Sequence, residues 1–301
     1  MSVKPLLLYY GALSFSRGVI LANNPYKKEE SLTRSHGLEP GDWQGTLKDG
    51  IKNVLELEIR ATKGTFFELV EVCHNLKTMY KFQGPTNKMG SDGHNLGTIK
   101  FATDQSMLSL DDLVSRLLQT SGMYKEITGR PSRMFKGCRI ASHPPGTHFA
   151  FPLLGIPSEL RKLIDGKNVI IGSSNQIAPG LMQSDDAGDA LIFVHQDHAT
   201  YEFAKKLFPV SHYGSGEYMS VILDFPNGDR MTEFFKLYLV SYCLGMLSRY
   251  FPSVWMALLR NEKGDFAQPL LVRAVEAIES DFPENVLHQL TGYPKELPRK
   301  R

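Results

Sequence analysis

The sequence lacks an excess of either charge. Its 34 Lys and Arg stand against 32 Asp and Glu, leaving a formal +2 over 301 residues. That excludes the basic coat of an obligate DNA binder and leaves only a local patch open. Cysteine is scarce: Cys73, Cys138 and Cys243 are an odd number, far apart, with no C-x-x-C pair. A disulfide scaffold is excluded, and the three fit small apolar residues buried in a reducing cytoplasm. Long hydrophobic runs are missing too. Leu237 to Leu247, the longest, has 11 residues and already includes Ser and Tyr, whereas a bilayer needs about 20, so no membrane span is expected. Lys4 followed by Leu6 to Phe15 imitates a signal peptide but has no small-x-small cleavage site. There is no phosphate loop, dinucleotide fingerprint or G-x-S-x-G elbow, and Gly214-Ser215-Gly216 is too short to count.

What is present is the composition of a folded globular chain, 42% hydrophobic and 22% charged, of a length that allows one large domain or two ordinary ones. The stretch Leu6 to Asn23 places Leu6, Tyr10, Leu13, the stem of Arg17 and Ile20/Leu21 on one helical stripe. Pro5 suits its first turn and Asn23-Asn24-Pro25 its end. Pro25 to Gly45 reads as a long polar loop carrying Ser35-His36-Gly37-Leu38. Asn53 to Ala61 alternates as a half-buried strand, Thr65 to Leu76 returns to helical spacing, and Gly84 to Gly97 reads as an exposed loop. A strand is expected at about Thr98 to Ala102. Ser109 with Asp111 and Asp112 then forms a helix start, continuing through Leu113, Val114, Leu117 and Leu118.

From Phe135 to Phe225 short β-like runs at 136–141, 169–172, 190–195 and 218–225 alternate with Gly, Pro, Ser and Asp loops and one helix at 157–164. Beyond Gly228 the spacing is helical again, over 231–250, 252–260, 269–280 and 283–290, with a short basic tail at 298–301. The expected fold class is α+β. Residues 1–45 supply a helix and loop that pack on the C-terminal helices, 46–228 a mixed α/β central region containing the sheet, and 229–295 the C-terminal helical bundle. The lone N-terminal helix must bury its stripe, and 231–250 is its expected partner.

Several blocks together carry a family resemblance: Leu7-Leu8-Tyr9-Tyr10-Gly11-Ala12-Leu13, Ser35-His36-Gly37-Leu38, Gly64-Thr65-Phe66-Phe67-Glu68-Leu69, Ser109-Leu110-Asp111-Asp112-Leu113 and the run Met246 to Trp255. In this order they resemble the YaaC-like family of bacterial proteins, which implies a bacterial cytoplasmic protein of about this size and no particular reaction. The first block also resembles, more weakly, HEPN helical domains, through Tyr9, Tyr10, Phe15, Arg17 and Ile20 followed by His36-Gly37. That resemblance implies nucleotide or RNA binding, or ribonuclease activity in toxin and antiviral systems. The ribonuclease form spaces Arg and His by four to six residues. Here Arg34 and His36 have one residue between them, and Arg139 and His143 have three, so the nuclease pattern is not met.

The candidate chemistry is sparse. Arg34 and His36, with Arg17 from the first helix, suit a phosphate or carboxylate, since function favours loops; the alternative is a His-Gly turn packed under Leu38. Arg249, Tyr250 and Trp255, at a junction of two late helices, suit stacking or phosphate contact, or equally an internal cation-π lock. His195 and His198 follow the acidic Asp185, Asp186 and Asp189 and form the only candidate metal set, with a solvated turn as the alternative. Asp49, Glu58 and Arg60 imitate a metal-nuclease strand with Arg in place of Lys. Ser142 to His148 is a rigid His-bearing loop with no nucleophile beside it.

These features point to a binding or scaffold component without conventional catalysis. Arg17, Arg34, His36 and Arg249 are the expected ligand or phosphate residues, no cofactor is implied, and the expected partner is a protein, a second copy, or a nucleic acid or nucleotide. An antiviral setting follows from the HEPN resemblance alone. The alternatives are a HEPN-like ribonuclease or a metal-dependent hydrolase using His195, His198 and Asp189.

Overall fold

A computed structural model describes residues 3–73, 75–83, 89–98, 107–143, 146–152, 169–173, 189–194, 218–222, 225–228, 231–262 and 266–291. The fold is α+β. The chain forms two compact units, the first from Met1–Leu76, Thr98–Ser132 and Asp224–Lys295, the second from Lys77–Gly97, Arg133–Leu223 and Glu296–Arg301.

The first unit begins with α1 (Lys4–Asn23), which has Pro5 in its opening turn. Strand β1 (His36–Pro40) follows, then the short helix α2 (Trp43–Thr46), a 3-10 turn at Ile51–Glu56, β2 (Glu58–Gly64) and α3 (Thr65–Val72). The segment expected as a polar loop therefore contains a strand, and the strand expected at 53–61 starts only at Glu58. Its alternation holds at Leu57, Ile59 and Ala61, all buried. Val54 and Leu55 are buried side by side, as a turn allows and a strand face does not. Helix α3 ends at Val72 rather than Leu76 because β3 (Asn75–Gln83) takes over the chain and pairs with β4 (Met89–Thr98), in place of the exposed loop expected at 84–97.

A third antiparallel strand, β5 (Met107–Ser109), completes a sheet ordered β1-β2-β5. Helix α4 (Leu110–Val114) starts at the predicted cap. Ser109 Oγ accepts from the Asp112 amide at 3.0 Å while Asp112 accepts from the Ser109 amide at 3.3 Å, a reciprocal capping box. The helix stops at Val114, short of Leu118, and α5 (Ser121–Thr128) follows.

In the second unit β6 (Met134–His143), β7 (Gly146–Pro152), β8 (Val169–Ser173), β9 (Asp189–Val194) and β10 (Tyr218–Ile222) form one antiparallel sheet in the order β10-β6-β7-β9-β8. The helix expected at 157–164, the terminal tail at 298–301 and most of the strand expected at 98–102 lie outside the described residues.

The chain returns to the first unit with α6 (Glu233–Tyr250), α7 (Pro252–Leu259) and α8 (Gln268–Thr291). The two helices expected at 269–280 and 283–290 are one, with Pro283 inside it. Phe282, stacked on Phe234 at 5.0 Å, and Asn285, whose amide bonds the Asp281 carbonyl at 2.7 Å, hold the helix on both sides of the missing proline donor.

Helix α6 is buried from Glu233 to Leu247, the central rod of its unit, and α1 lies along it. The buried face of α1 is Pro5, Tyr9, Ala12, Ser16, Val19 and Ile20, one position round from the expected stripe; Leu7, Tyr10 and Phe15 face outward. Because α1 carries charge only at Lys4 and Arg17, it offers two apolar faces. The one with Ala12 and Ser16 lets the backbones come close. Gly245 completes the fit, since a Cβ there would stand 2.8 Å from Tyr9 Cβ. By length and composition α1 could also cross a membrane, a property the longest apolar run had concealed; here that helix is a packed element with one face buried.

The N-terminus of α6 buries an ion pair. Lys236 Nζ lies 2.7 Å from Glu233 Oε2, both side chains almost wholly enclosed. Glu233 Oε1 accepts from the Leu118 amide and Lys236 donates to the Arg116 carbonyl. Arg116, itself buried, bonds the Asp112 carbonyl and covers the Phe225 ring at 4.4 Å. Cys73 and Cys243 are free and buried, with the Cys73 thiol pushed up to about 12 by burial.

Two substitutions separate packing from propensity. Gly245→Ala forces Tyr9 aside and is expected to lower the urea-unfolding free energy by about 1–3 kcal/mol. Gly11→Ala, in a helix with open space around it, is expected to raise it by roughly 0.5–1 kcal/mol. Equal effects of the two would contradict the close α1–α6 contact. Glu233→Gln, which strips Lys236 of its counter-charge, is expected to cost about 3–5 kcal/mol in the same assay.

Candidate functional site

His36 opens β1 and is placed by two glycines. Gly37 has a left-handed backbone (φ +76), and a Cβ there would come 2.9 Å from the Phe66 amide nitrogen. A Cβ on Gly64, the register partner of His36, would meet the Gly37 nitrogen at 2.3 Å. The chain then shifts register between His36 and Leu38, a bulge that re-aims the side chain at its start. The preceding residues are pinned from α3 and β2. Glu68 accepts from the Thr33 hydroxyl at 2.6 Å and pairs with Lys27 at 3.0 Å, and the Ser35 hydroxyl bonds the Lys63 carbonyl at 2.8 Å.

The His36 ring enters a cluster of tyrosines. Its Nδ1 lies 2.6 Å from the Tyr9 hydroxyl, and the rings of Tyr9 and Tyr242 stand 5.4 Å and 6.1 Å from it. Tyr242 donates to the Leu38 carbonyl at 3.0 Å, tying α6 to β1. Burial first, then the neighbouring tyrosines, keeps Tyr9 a neutral phenol well above its usual range. Burial first, then the charge of Arg249, holds His36 below its ordinary 6.5. The fully buried Tyr238 hydroxyl approaches that of Tyr9 but completes no hydrogen bond among the described residues. In the tautomer with Nδ1 unprotonated, Tyr9 donates to it. His36 then carries its own proton on Nε2, which has no partner among the described residues and is free to donate to a ligand.

Of the four expected residues, His36 lies in this cluster, Arg249 acts on it and Arg17 acts on Tyr238. Arg249, exposed at the end of α6, donates from Nη1 to the Tyr10 hydroxyl at 2.7 Å, lies 5.1 Å over the Tyr250 ring and acts electrostatically on His36. Arg17, half-buried on α1, acts on the Tyr238 hydroxyl from the other side. Arg34 is exposed and makes no hydrogen bond or ion pair among the described residues. Trp255 is buried with Leu258 in the core and takes no part.

The arrangement offers two guanidinium groups, one neutral imidazole N–H and phenol hydroxyls, a set of donors suited to an oxyanion. Sequence reasoning passed over the roles of Tyr9, Tyr238 and Tyr242. The signal available was the Tyr9-Tyr10 pair and the i, i+4 spacing of Tyr238 and Tyr242 on a helix that also carries Arg249.

The metal candidates do not reach this site. His195 and His198 lie outside the described residues, and Asp189 is placed as the first residue of β9 in the second unit. Among the described residues no group of His, Cys, Asp or Glu could hold a metal ion. Glu58 and Arg60 lie on the exposed face of β2, where Arg60 bonds the Met107 sulfur at 3.4 Å, as on any half-exposed strand.

Comparison with known proteins gives a match to the family model described as YaaC-like Protein over residues 1–290. No curated protein and no solved structure matches the chain. A HEPN resemblance is not shown.

The depressed His36 makes a pH prediction. Between 6.5 and the lower value in the fold, the unfolded chain binds a proton that the folded site does not. The stability present above pH 6.5 is therefore lost as pH falls from 6.5 through the folded value. Thermal melts from pH 7.5 to 5 are expected to show a steeper acid loss for the native chain than for His36→Gln, whose amide oxygen can still accept from Tyr9. Parallel curves would contradict the buried neutral imidazole.

Proposed function

The chain belongs to the YaaC-like family, and from that premise we propose that it works by binding, taking a phosphate-bearing ligand, a nucleotide or a nucleic-acid strand, where α1, β1 and α6 meet. The observation that supports this is His36 held against Tyr9 with Arg249 acting on it, its second ring nitrogen without a hydrogen bond among the described residues, and Arg17 acting on the neighbouring Tyr238. Guanidinium groups match phosphate in charge and in the fork of their donors. Arg249 over the exposed Tyr250 ring adds a flat cationic surface on which a base can stack.

Catalysis would require His36 to trade protons at neutral pH beside an attacking group. The imidazole is instead held neutral with one nitrogen committed to a phenol that does not ionise, and among the described residues no serine, cysteine or carboxylate hydrogen-bonds to it as a nucleophile or orienting group would. The balanced net charge fits a ligand held by a few local contacts rather than a broad electrostatic track.

Fluorescence polarisation with a labelled single-stranded oligonucleotide, with unlabelled adenosine nucleotides as competitors, tests this at fixed ionic strength. Arg249→Ala and Arg17→Ala are each expected to weaken binding about tenfold, as loss of one phosphate contact does, and Arg34→Ala to leave it within about twofold. No binding, or equal effects of all three, would overturn the proposal. Strand cleavage lost in His36→Ala would replace it with catalysis.

A further inference from the structure

The binding site holds a buried hydroxyl that binding alone does not use. Tyr238 is fully enclosed, stacked on Phe66 at 5.6 Å, and its oxygen has no hydrogen-bond partner among the described residues. An enclosed, unpaired phenol is costly. It stands close enough to the Tyr9 hydroxyl to interact with it, while the hydrogen bond Tyr9 completes is the one with His36 Nδ1. The three groups thus form a chain that is complete at one end and open at the other.

We propose that the Tyr9 and Tyr238 hydroxyls form a two-state relay that lets His36 take up one proton when an oxyanion of the phosphate class binds, coupling the affinity of the site to pH. This rests on the binding reading given above and adds its regulation. In the first state His36 is neutral, Tyr9 donates to Nδ1 and the Tyr238 oxygen is idle. In the second, a proton from solvent leaves His36 with N–H groups on both ring nitrogens. Nδ1 now donates to the Tyr9 oxygen, so the Tyr9 hydrogen must turn away, and the Tyr238 oxygen is the acceptor waiting for it. Nε2 donates to the ligand in both states, with a full positive charge behind it only in the second. The one covalent bond made is Nδ1–H, to a proton taken from solvent; within the protein only hydrogen bonds change, and the balance is one proton taken up per ligand bound.

The surroundings favour a ligand-driven change. Tyr9, Tyr242 and Arg249 act on His36 itself, and around them Tyr10 bonds Arg249, Arg17 acts on Tyr238, and Glu39 and Tyr250 act on Tyr242. From α3, Phe66 contributes only its ring, and Glu68 is turned to Thr33 and Lys27. The Arg249 guanidinium opposes a second positive charge on His36 until an anion neutralises it. Glu39, exposed on β1, is the sole carboxylate among these groups. The tyrosines stay protonated, since burial raises Tyr9, Tyr238 and Tyr242 alike, so among these rings His36, held below its ordinary 6.5, is the one whose charge changes as pH falls.

Inorganic sulfate is the probe, because it remains a dianion across this range and any pH dependence belongs to the protein. Isothermal titration at constant ionic strength is expected to show the native chain binding sulfate more tightly as pH falls from 8. The gain approaches tenfold per pH unit and levels where His36 is protonated without ligand. His36→Gln should give a flat profile. Tyr238→Phe should bind about tenfold more weakly than the native chain at pH 5.5, because the turned Tyr9 hydrogen has lost its acceptor, with circular dichroism confirming the fold at each pH. Ring 15N titration of His36 in the native chain needs no variant, and saturating sulfate should move its midpoint upward. A pH-independent sulfate affinity, an unmoved midpoint, or a Tyr238→Phe profile matching the native one would overturn the relay while leaving the binding reading intact. Absence of sulfate binding at every pH would overturn the binding reading and the relay with it.

Discussion

The contact on which the rest depends is Tyr9 of α1 lying over Gly245 of α6. The space for it exists only because residue 245 has no side chain: a Cβ would stand 2.8 Å from that of Tyr9. Through it the first helix of the chain settles against one near its end, separated by more than two hundred residues. It also sets where the Tyr9 hydroxyl points, 2.6 Å from a nitrogen of His36. Arg17 and Arg249 ride on the same two helices, the first acting on Tyr238 and the second on His36.

Around that contact the unit spends polar groups sparingly and surrounds them with rings. The buried face of α6 carries Phe234, Phe235, Tyr238 and Tyr242, which meet Phe282, Phe66 and Tyr9 at ring separations of 5.0–6.4 Å. Each charge admitted to this interior is matched, Lys236 by Glu233 and Arg116 by Asp112 and the Phe225 ring. A polar group buried among apolar neighbours must be paired or become neutral. His36 takes the second course, which leaves it as an N–H donor at the rim of the cluster.

Much of this was legible in the sequence, for reasons that vary by residue. The long α6, the cap at Ser109 and four strands of the second sheet follow from local spacing and turn chemistry, so their positions were readable to within a few residues, whereas β7 begins inside the stretch read as a rigid loop at 142–148. The buried face of α1 was misread by one position because the helix is apolar almost all round. The deciding factor was the closeness that Ala12, Ser16 and a distant Gly245 permit. β1 was invisible because a strand containing Gly37 and Pro40 has little propensity of its own; pairing with β2 creates it. Pro283 was taken as a helix break, and Phe282 and Asn285 overrode it through contacts no local pattern contains. At the site, Arg17, His36 and Arg249 were found by residue type, while the tyrosines that give His36 its state were passed over as core. Ring chemistry and burial look alike in sequence until a partner 27 residues away is seen at hydrogen-bonding distance.

The most direct test is the ring 15N spectrum of His36 at neutral pH in the native chain and in Tyr9→Phe, a change that removes one oxygen and keeps the packing ring. If Tyr9 positions His36 by donating to Nδ1, the native chain shows a single Nε2–H tautomer titrating below 6.5, and the variant shows a mixture of tautomers with a displaced midpoint. Identical spectra and midpoints in the two proteins would contradict a site built by the contact between the first helix and α6.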